Sequence, residues 1–120
     1  MRLSFHSIDD EENKIFYEAN YERSDNEIMF VDKVLENTVN HIIFDEDKLK
    51  LIRTGDTQSE IIFDISRQTP GFYKNSIGLE FEFIIKTNKI KIENNKILVE
   101  YNMILDEFTA TTHKIWILLH

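Results

Sequence analysis

Cysteine is absent from this chain of 120 residues, which has only three glycines and one proline. The absence of cysteine excludes disulfides, thiol nucleophiles and thiolate zinc sites, and it fits a reducing compartment. Scarce glycine and proline exclude collagen-like and low-complexity classes. The longest apolar run, at 115–119, is far shorter than the roughly 20 residues of a membrane-spanning helix, and acidic residues begin at Asp9, too early for a signal peptide. We therefore predict a cytoplasmic protein with no membrane partner.

Positive charge is in the minority, and the formal net charge is −8 at pH 7. A protein of that charge is repelled by phosphate backbones unless its basic residues are concentrated in one place. One lysine group is interleaved with Glu93 and Glu100, which indicates a solvated face of mixed charge. The group comprises Lys86, Lys89, Lys91 and Lys96. We expect no nucleic-acid partner.

Apolar residues, by contrast, make up 42% of the chain and include nine phenylalanines, which is typical of a globular protein. No linker, repeat or shift in composition divides the sequence, so we predict a single domain spanning 1–120. Apolar and polar residues alternate in short segments separated by polar turns, the pattern of half-buried strands. These segments lie at 2–7, 14–21, 27–31, 38–44, 48–53, 58–64, 71–93, 97–105 and 108–119.

The segment 71–93 changes phase in its middle. Its apolar residues occupy odd positions from 79 to 85 but even positions at 90 and 92. A slip of one residue moves side chains to the other face of a sheet, so a β-bulge or tight bend at Thr87–Asn88 is predicted. Such bends let a sheet curl towards closure. Two turns are also predicted, a hairpin around Gly55 and a type II turn at 68–71.

Helical periodicity is weak, since a short amphipathic helix at 28–36 lacks a sustained period of 3.6 residues. The pattern therefore predicts an all-β fold, a closed antiparallel meander barrel of about eight to ten strands, because closure removes exposed edges. An open sandwich is the second choice.

The segments LIRTG at 51–55 and PGFYK at 70–74, followed by Gly78, resemble the YwiB-like family of uncharacterised bacterial proteins. The order of features is similar over 38–118: a hairpin, a return strand, a long alternating run and a final strand with Ile-Trp. The resemblance implies a calycin-like β-barrel, the group that includes lipocalins and fatty-acid-binding proteins, and it implies no activity. The chain departs from the family at 75–78, with NSIG in place of T-P-Y-G.

Arg53 is the most informative single residue, because its parity with Leu49 and Leu51 points it into the barrel. A guanidinium there is costly unless an anion pairs with it, and such an arginine can bind a ligand carboxylate bidentately. Tyr73 or Tyr101 could add hydroxyl donors. The alternative is that Arg53 ends a strand, with its stem packed and its charge in water.

Chemical signatures are otherwise missing. The four histidines are not spaced as a metal pair, serine nucleophile motifs and glycine-rich phosphate loops are absent, and the carboxylates lie in turns. We predict no metal and no cofactor. An enzyme with a carboxylate or His113 at the barrel mouth is only a third hypothesis.

The leading hypothesis is a non-enzymatic barrel that binds a small apolar or amphipathic molecule in its lumen. Arg53 would anchor the polar group of the ligand. The remaining candidate ligand-binding residues are Tyr73, Phe81, Phe83, Val99, Tyr101 and Met103. The alternative is an interaction protein with a filled barrel, acting through an outer surface or as a homodimer through the apolar C-terminal strand.

Overall fold

The computed structural model describes residues 1–120, and its regular structure consists of strands alone. The ten strands are β1 (Arg2–Asp9), β2 (Lys14–Arg23), β3 (Glu27–Val31), β4 (Thr38–Asp45), β5 (Lys48–Gly55), β6 (Gln58–Phe63), β7 (Thr69–Lys74), β8 (Glu80–Ile92), β9 (Lys96–Ile104) and β10 (Ala110–Leu119). Alternation predicted these strands well, except that 71–93 contains two of them. The helix considered at 28–36 is wrong, since β3 and a turn occupy that segment.

Each strand pairs antiparallel with the next one along the chain, and β1 also pairs with β10. Leu3 lies opposite Ala19 on one side and Leu119 on the other. The sheet therefore closes on itself and has no free edge strand. The predicted closed antiparallel meander is confirmed, and the open sandwich is wrong.

The predicted β-bulge lies in β8. Thr87 pairs with Tyr101 and Lys89 pairs with Glu100, so Asn88 is the extra residue between successive pairs. Thr87 is buried on the inner face, and Ile90 again packs against the core. The bulge thus absorbs the one-residue slip and keeps the apolar positions on both sides of it directed inwards.

Two glycines have different reasons for their positions. Gly55 ends β5 with a φ of 114°, a conformation that other residues rarely adopt. The type II turn predicted at 68–71 is wrong, because Thr69, Pro70 and Gly71 lie in β7 and pair with β8. Gly71 is needed there because a Cβ would overlap the ring of Phe83.

The inner face of the barrel is filled by one hydrophobic cluster, to which every strand except β7 contributes at least one buried side chain. Leu3, Ile28, Leu49, Ile85 and Ile117 are its most buried aliphatic members. Five buried polar residues gather at the end of the barrel where β3 and β5 end and β4 and β6 begin. They are Asp32, Thr38, Asn40, Thr57 and Ser59. A second buried polar group, which includes Asp64 and Thr69, lies towards the opposite end, where β6 ends and β7 begins.

Candidate functional site

A cavity of about 290 Å³ opens at the end of the barrel that holds Asp32 and Asn40, and we call it the mouth cavity. It lies where β1, β3 and β5 end and β2 and β10 begin. Aliphatic and aromatic side chains supply most of its wall, and one arginine, two aspartates and a histidine supply its charged or titratable groups. The lining residues are Phe5, Ser7, Ile8, Asp9, Asn13, Ile15, Tyr17, Asp32, Val34, Leu35, Arg53, Tyr101, His113 and Ile115.

Asp32 organises the polar wall of this cavity. It follows β3 and turns the chain, because its Oδ1 accepts hydrogen bonds from the backbone N–H groups of Val34 and Leu35, both at 2.8 Å. Its Oδ2 accepts a hydrogen bond from Asn40 Nδ2 at 3.0 Å and a longer one from the Tyr17 hydroxyl at 3.4 Å. The carboxylate is therefore buried but fully supplied with donors.

Arg53 points into the barrel beside this carboxylate. Its Nε donates to Asn40 Oδ1 at 3.0 Å and lies 3.9 Å from Asp32 Oδ2. The side chain of Arg53 is 19% exposed, against 4% for that of Asp32. Asp32 is thus a counter-ion inside the barrel, and its attraction offsets the desolvation cost of the Arg53 guanidinium. Its two terminal amino groups make no hydrogen bond within the protein, so they remain free to donate.

Two tyrosines complete the polar wall. Burial, followed by the negative charge of Asp32, raises the pKa of Tyr17 far above its ordinary value. Burial raises the pKa of Tyr101 to about 12, although the positive charge of Arg53 opposes that shift. Both hydroxyls therefore keep their protons at neutral pH and can donate hydrogen bonds. The Tyr101 hydroxyl has no partner within the protein.

His113 covers Tyr101 at the rim of the cavity. Their rings stack with centroids 5.1 Å apart, and His113 Nε2 shares a hydrogen bond of 2.7 Å with the hydroxyl of Thr111. Burial lowers the pKa of His113 below its ordinary value, against the opposing charges of Asp9 and Asp10. The imidazole is therefore mainly neutral at pH 7, and it lines the mouth cavity beside Tyr101.

The lumen beneath the mouth cavity is full. Only a void of about 20 Å³ remains among the core side chains, which include Leu51, Phe63 and Val99. A volume of that size holds at most one water molecule. The cavity is therefore shallow, and a long acyl chain has no space along the barrel axis.

The seven residues predicted to bind a ligand do not line one cavity. Only Arg53 and Tyr101 line the mouth cavity, whereas Val99 borders the small void beneath it. The rest lie elsewhere on the inner face: Tyr73 and Phe81 stack on each other at 5.1 Å, Phe83 fills the space beside Gly71, and Met103 packs against the core. Whether any of the seven binds a ligand stays a prediction.

Sequence reasoning missed Asp32, Asn40 and Tyr17 as members of the site. The signal for the first two was parity. Asn40 shares the inward parity of Ile42, and Asp32 continues the inward row of Ile28 and Phe30 beyond the end of β3. A polar residue at an inward position of a strand needs a partner, so these two residues could have been assigned to Arg53.

A second concavity, of about 500 Å³, lies on the outside of the barrel. It exists because β6 and β7 pair only between 58–60 and 72–74 and are not paired beyond Glu60 and Phe72. Its residues are Glu60, Ile62, Pro70, Gly71, Phe72, Glu82, Phe83, Ile84, Ile104 and Leu105. It is separate from the mouth cavity, and no residue lines both.

Three aromatic residues on the outer face of β1, β2 and β10 form what we call the outer aromatic cluster: His6, Phe16 and Trp116. The ring of His6 stacks on Trp116 with centroids 4.8 Å apart, and Phe16 lies 4.8 Å from His6 on its other side. Lys114 Nζ lies 5.2 Å from the centre of the Trp116 ring. Phe16 is 61% exposed, so the cluster presents apolar surface to its surroundings.

Metal-binding side chains are not concentrated anywhere in the structure, since no group of three or more histidines, aspartates or glutamates could hold an ion. The structure also has no helix long and apolar enough to cross a membrane. The polar side chains that line the mouth cavity are one arginine, two aspartates, two tyrosines, a serine, an asparagine and a histidine.

The fold and this cavity define a small closed barrel of ten antiparallel strands with a polar mouth above a packed interior. The chain belongs to the family described as a domain of unknown function (DUF1934), whose model matches residues 4–117. No curated protein is similar enough to match it.

Among solved structures, the chain is similar to the ywiB protein from Bacillus subtilis, whose crystal structure superposes with a TM-score of 0.65 at 17% sequence identity. The match covers 99% of this chain and 90% of that protein. The resemblance to the YwiB-like family is therefore confirmed. At this identity, the likeness shows the shared fold alone.

Proposed function

We propose that the protein is a non-enzymatic barrel that binds a compact amphipathic molecule in its mouth cavity, with Arg53 as the polar anchor. The observation that carries this proposal is the pairing of a cavity of about 290 Å³ with a guanidinium whose two terminal amino groups are unoccupied. Concave, mostly apolar cavities with a few convergent polar groups are typical ligand sites. The volume lies near the lower end of the range for such sites, so the ligand is small.

The polar wall is arranged for binding before any ligand arrives. Asp32 and Asn40 hold Arg53 through its Nε, which fixes the direction of the guanidinium without using its terminal groups. A fixed donor loses little conformational entropy when a ligand binds. The apolar part of the ligand would contact side chains such as Ile15 and Ile115.

Native mass spectrometry after gentle purification tests this proposal. A bound small molecule is expected as added mass on the folded protein. Ser7→Phe should abolish it, because Ser7 lines the cavity, makes no side-chain hydrogen bond and would be replaced by a ring that fills the space. Ser76→Phe is the matched control, in an exposed turn.

Amide NMR spectra with a panel of benzoate, benzamide and indole would serve as a second measurement. Shifts confined to the mouth cavity are expected, and they should disappear in Ser7→Phe. No added mass together with no such shifts would overturn the proposed function.

The outer aromatic cluster favours a second candidate function, a homodimer formed through the outer face of β10. The exposed ring of Phe16 and the partly covered Trp116 provide apolar surface of the kind found at the centre of interfaces. Light scattering at high concentration should then show a dimer that Phe16→Lys dissociates, while Phe108→Lys, at a position 94% exposed and outside the cluster, does not. A strict monomer would reject this candidate.

The cytoplasmic location and the membership of a bacterial, calycin-like group also remain proposals. The cysteine-free composition supports the first. The likeness to a Bacillus subtilis protein supports the second.

A further inference from the structure

We infer that the mouth cavity selects a carboxylate, so that its ligand is a compact organic acid in its ionised form. This inference rests on the proposed function and adds the chemical class of the ligand. Some polar groups around the cavity already have hydrogen-bond partners, and others do not.

The carboxylate acceptors around the cavity are occupied. Asp32 receives hydrogen bonds on both carboxylate oxygens, from two backbone N–H groups and from Asn40 and Tyr17. Asp9 accepts from the backbone N–H groups of Glu11 and Asn13 on Oδ1, and from Asn13 Nδ2 on Oδ2. These bonds lower the pKa of Asp9, so it stays ionised and committed to its own turn.

Three donor groups, in contrast, are unused. Arg53 retains both terminal amino groups, and Tyr101 retains its hydroxyl. Both side chains line the mouth cavity. A wall whose guanidinium is free and whose carboxylates are already committed is complementary to an anion, whereas an ammonium group would find no free carboxylate here.

The geometry of the donors and the apolar wall favour a carboxylate over a bare inorganic anion. The planar fork of the guanidinium matches the two oxygens of a carboxylate bidentately. Apolar residues such as Phe5, Ile15 and Ile115 line the same cavity, and phosphate would leave them without a partner. The negative charge of the protein as a whole opposes anions at a distance, so selection depends on these short-range contacts.

Titration calorimetry with benzoate, its neutral counterpart benzamide and inorganic phosphate tests the inference. Benzoate should bind at least about tenfold more tightly than benzamide, which is the size expected when charge-assisted hydrogen bonds are lost. Phosphate should bind more weakly than benzoate. Arg53→Gln should remove the preference for benzoate over benzamide.

A second variant keeps the test independent of folding, because Arg53→Gln also removes a partner of Asn40. Tyr101→Phe deletes a hydroxyl that has no partner in the protein, and it should weaken benzoate binding about threefold to tenfold. Tyr21→Phe, in the core and outside the mouth cavity, is the matched control and should leave affinity unchanged.

The outcomes separate the inference from the proposed function. Equal binding of benzoate and benzamide, abolished for both by Ser7→Phe, would overturn the selection of a carboxylate and leave the mouth cavity as a binding site. Phosphate binding as tight as benzoate would also overturn it. Binding of none of the three compounds would overturn both statements.

Discussion

Arg53 and Asp32 face each other across 3.9 Å at the mouth of the barrel, and Asn40 connects them with one hydrogen bond to each, both of 3.0 Å. The amide accepts from the arginine and donates to the aspartate, so it holds the two charges in a fixed relative position. Because Asn40 and Asp32 hold the guanidinium through its Nε, Arg53 can lie inside the barrel and still offer its two terminal amino groups to a ligand.

Removing Asp32 should destabilise the protein strongly. Asp32→Ala leaves Arg53 without a counter-ion and two backbone N–H groups without an acceptor, and breaking such a buried pair costs about 3–5 kcal/mol. Urea unfolding would measure the loss. Asp25→Ala, in an exposed turn, is the control and should change stability by less than about 0.5 kcal/mol. Similar stability of the two variants would contradict this account of Asp32.

Ser59→Ala should leave stability unchanged or raise it. The Ser59 hydroxyl is the one side-chain polar atom that is fully enclosed, away from any cavity, and has no hydrogen-bond partner, so its removal relieves an unsatisfied group. Thr69→Val offers a contrast, because the Thr69 hydroxyl donates to the carbonyl of Ile62, and its loss should cost about 1 kcal/mol. A loss for Ser59→Ala as large as that for Thr69→Val would show that Ser59 has a partner after all.

Gly71→Ala should destabilise the barrel by about 1–3 kcal/mol, the typical cost of overpacking a filled interior. The added methyl overlaps the ring of Phe83 and also comes within 3.0 Å of the carbonyl oxygen of Glu60. Phe83→Leu should recover part of the loss, since it shortens the side chain that meets the methyl group. A thermal unfolding cycle of the two single variants and the double variant measures this coupling, and strictly additive effects would argue against direct contact.

Asp64 should stabilise the fold in a pH-dependent manner. Hydrogen bonds from the side chain and backbone of Ser66, followed by one from Arg67, lower the pKa of Asp64 below 3.8 in the folded protein. A carboxyl whose folded pKa is depressed contributes stability above its unfolded pKa, and this contribution is lost as the pH falls through the folded pKa. Asp64→Asn should therefore be less stable than the wild type at pH 7.

The difference in stability between Asp64→Asn and the wild type should shrink as the solution is acidified below about pH 4, where Asp64 begins to bind a proton in the unfolded chain. Urea midpoints of both proteins between pH 7 and pH 3 would measure it. Asp47 lies in an exposed turn and makes no side-chain hydrogen bond, so the urea midpoint of Asp47→Asn should change with pH in parallel with that of the wild type. A constant gap for Asp64→Asn across the acid range would be inconsistent with the lowered pKa.

Much of the fold was predictable because alternation of side chains is a local property of strands. The phase change between Ile85 and Ile90 even located the bulge at Asn88, since both sides had to face one interior. The turn expected at Pro70–Gly71 was wrong because a tertiary contact outweighed the local turn propensity. The ring of Phe83 on the neighbouring strand leaves no space for a side chain at position 71 of β7. No window of sequence around Gly71 contains that information.

The site was predictable only in part. Parity placed Arg53 and Tyr101 inside, and both line the mouth cavity. Parity could not tell which inward residues lie at the open end and which are packed in the filled interior, because that depends on the stagger of the strands around the barrel. For this reason Val99 and Phe83 shared a predicted wall with Arg53 but lie at other places in the structure.

The pairing of β1 with β10 has a consequence for synthesis on the ribosome. Leu3 pairs with Leu119, so the first strand to emerge waits for the last before its outer hydrogen bonds can form. Contacts so distant in sequence slow folding. Until β1 and β10 pair, the incomplete sheet exposes two unpaired strand edges to neighbouring chains. Joining the two termini and opening the chain at the exposed turn 75–78 would make that seam local but move the long-range closure to β7 and β8, so such a permutant should expose the margins of those two strands until it closes.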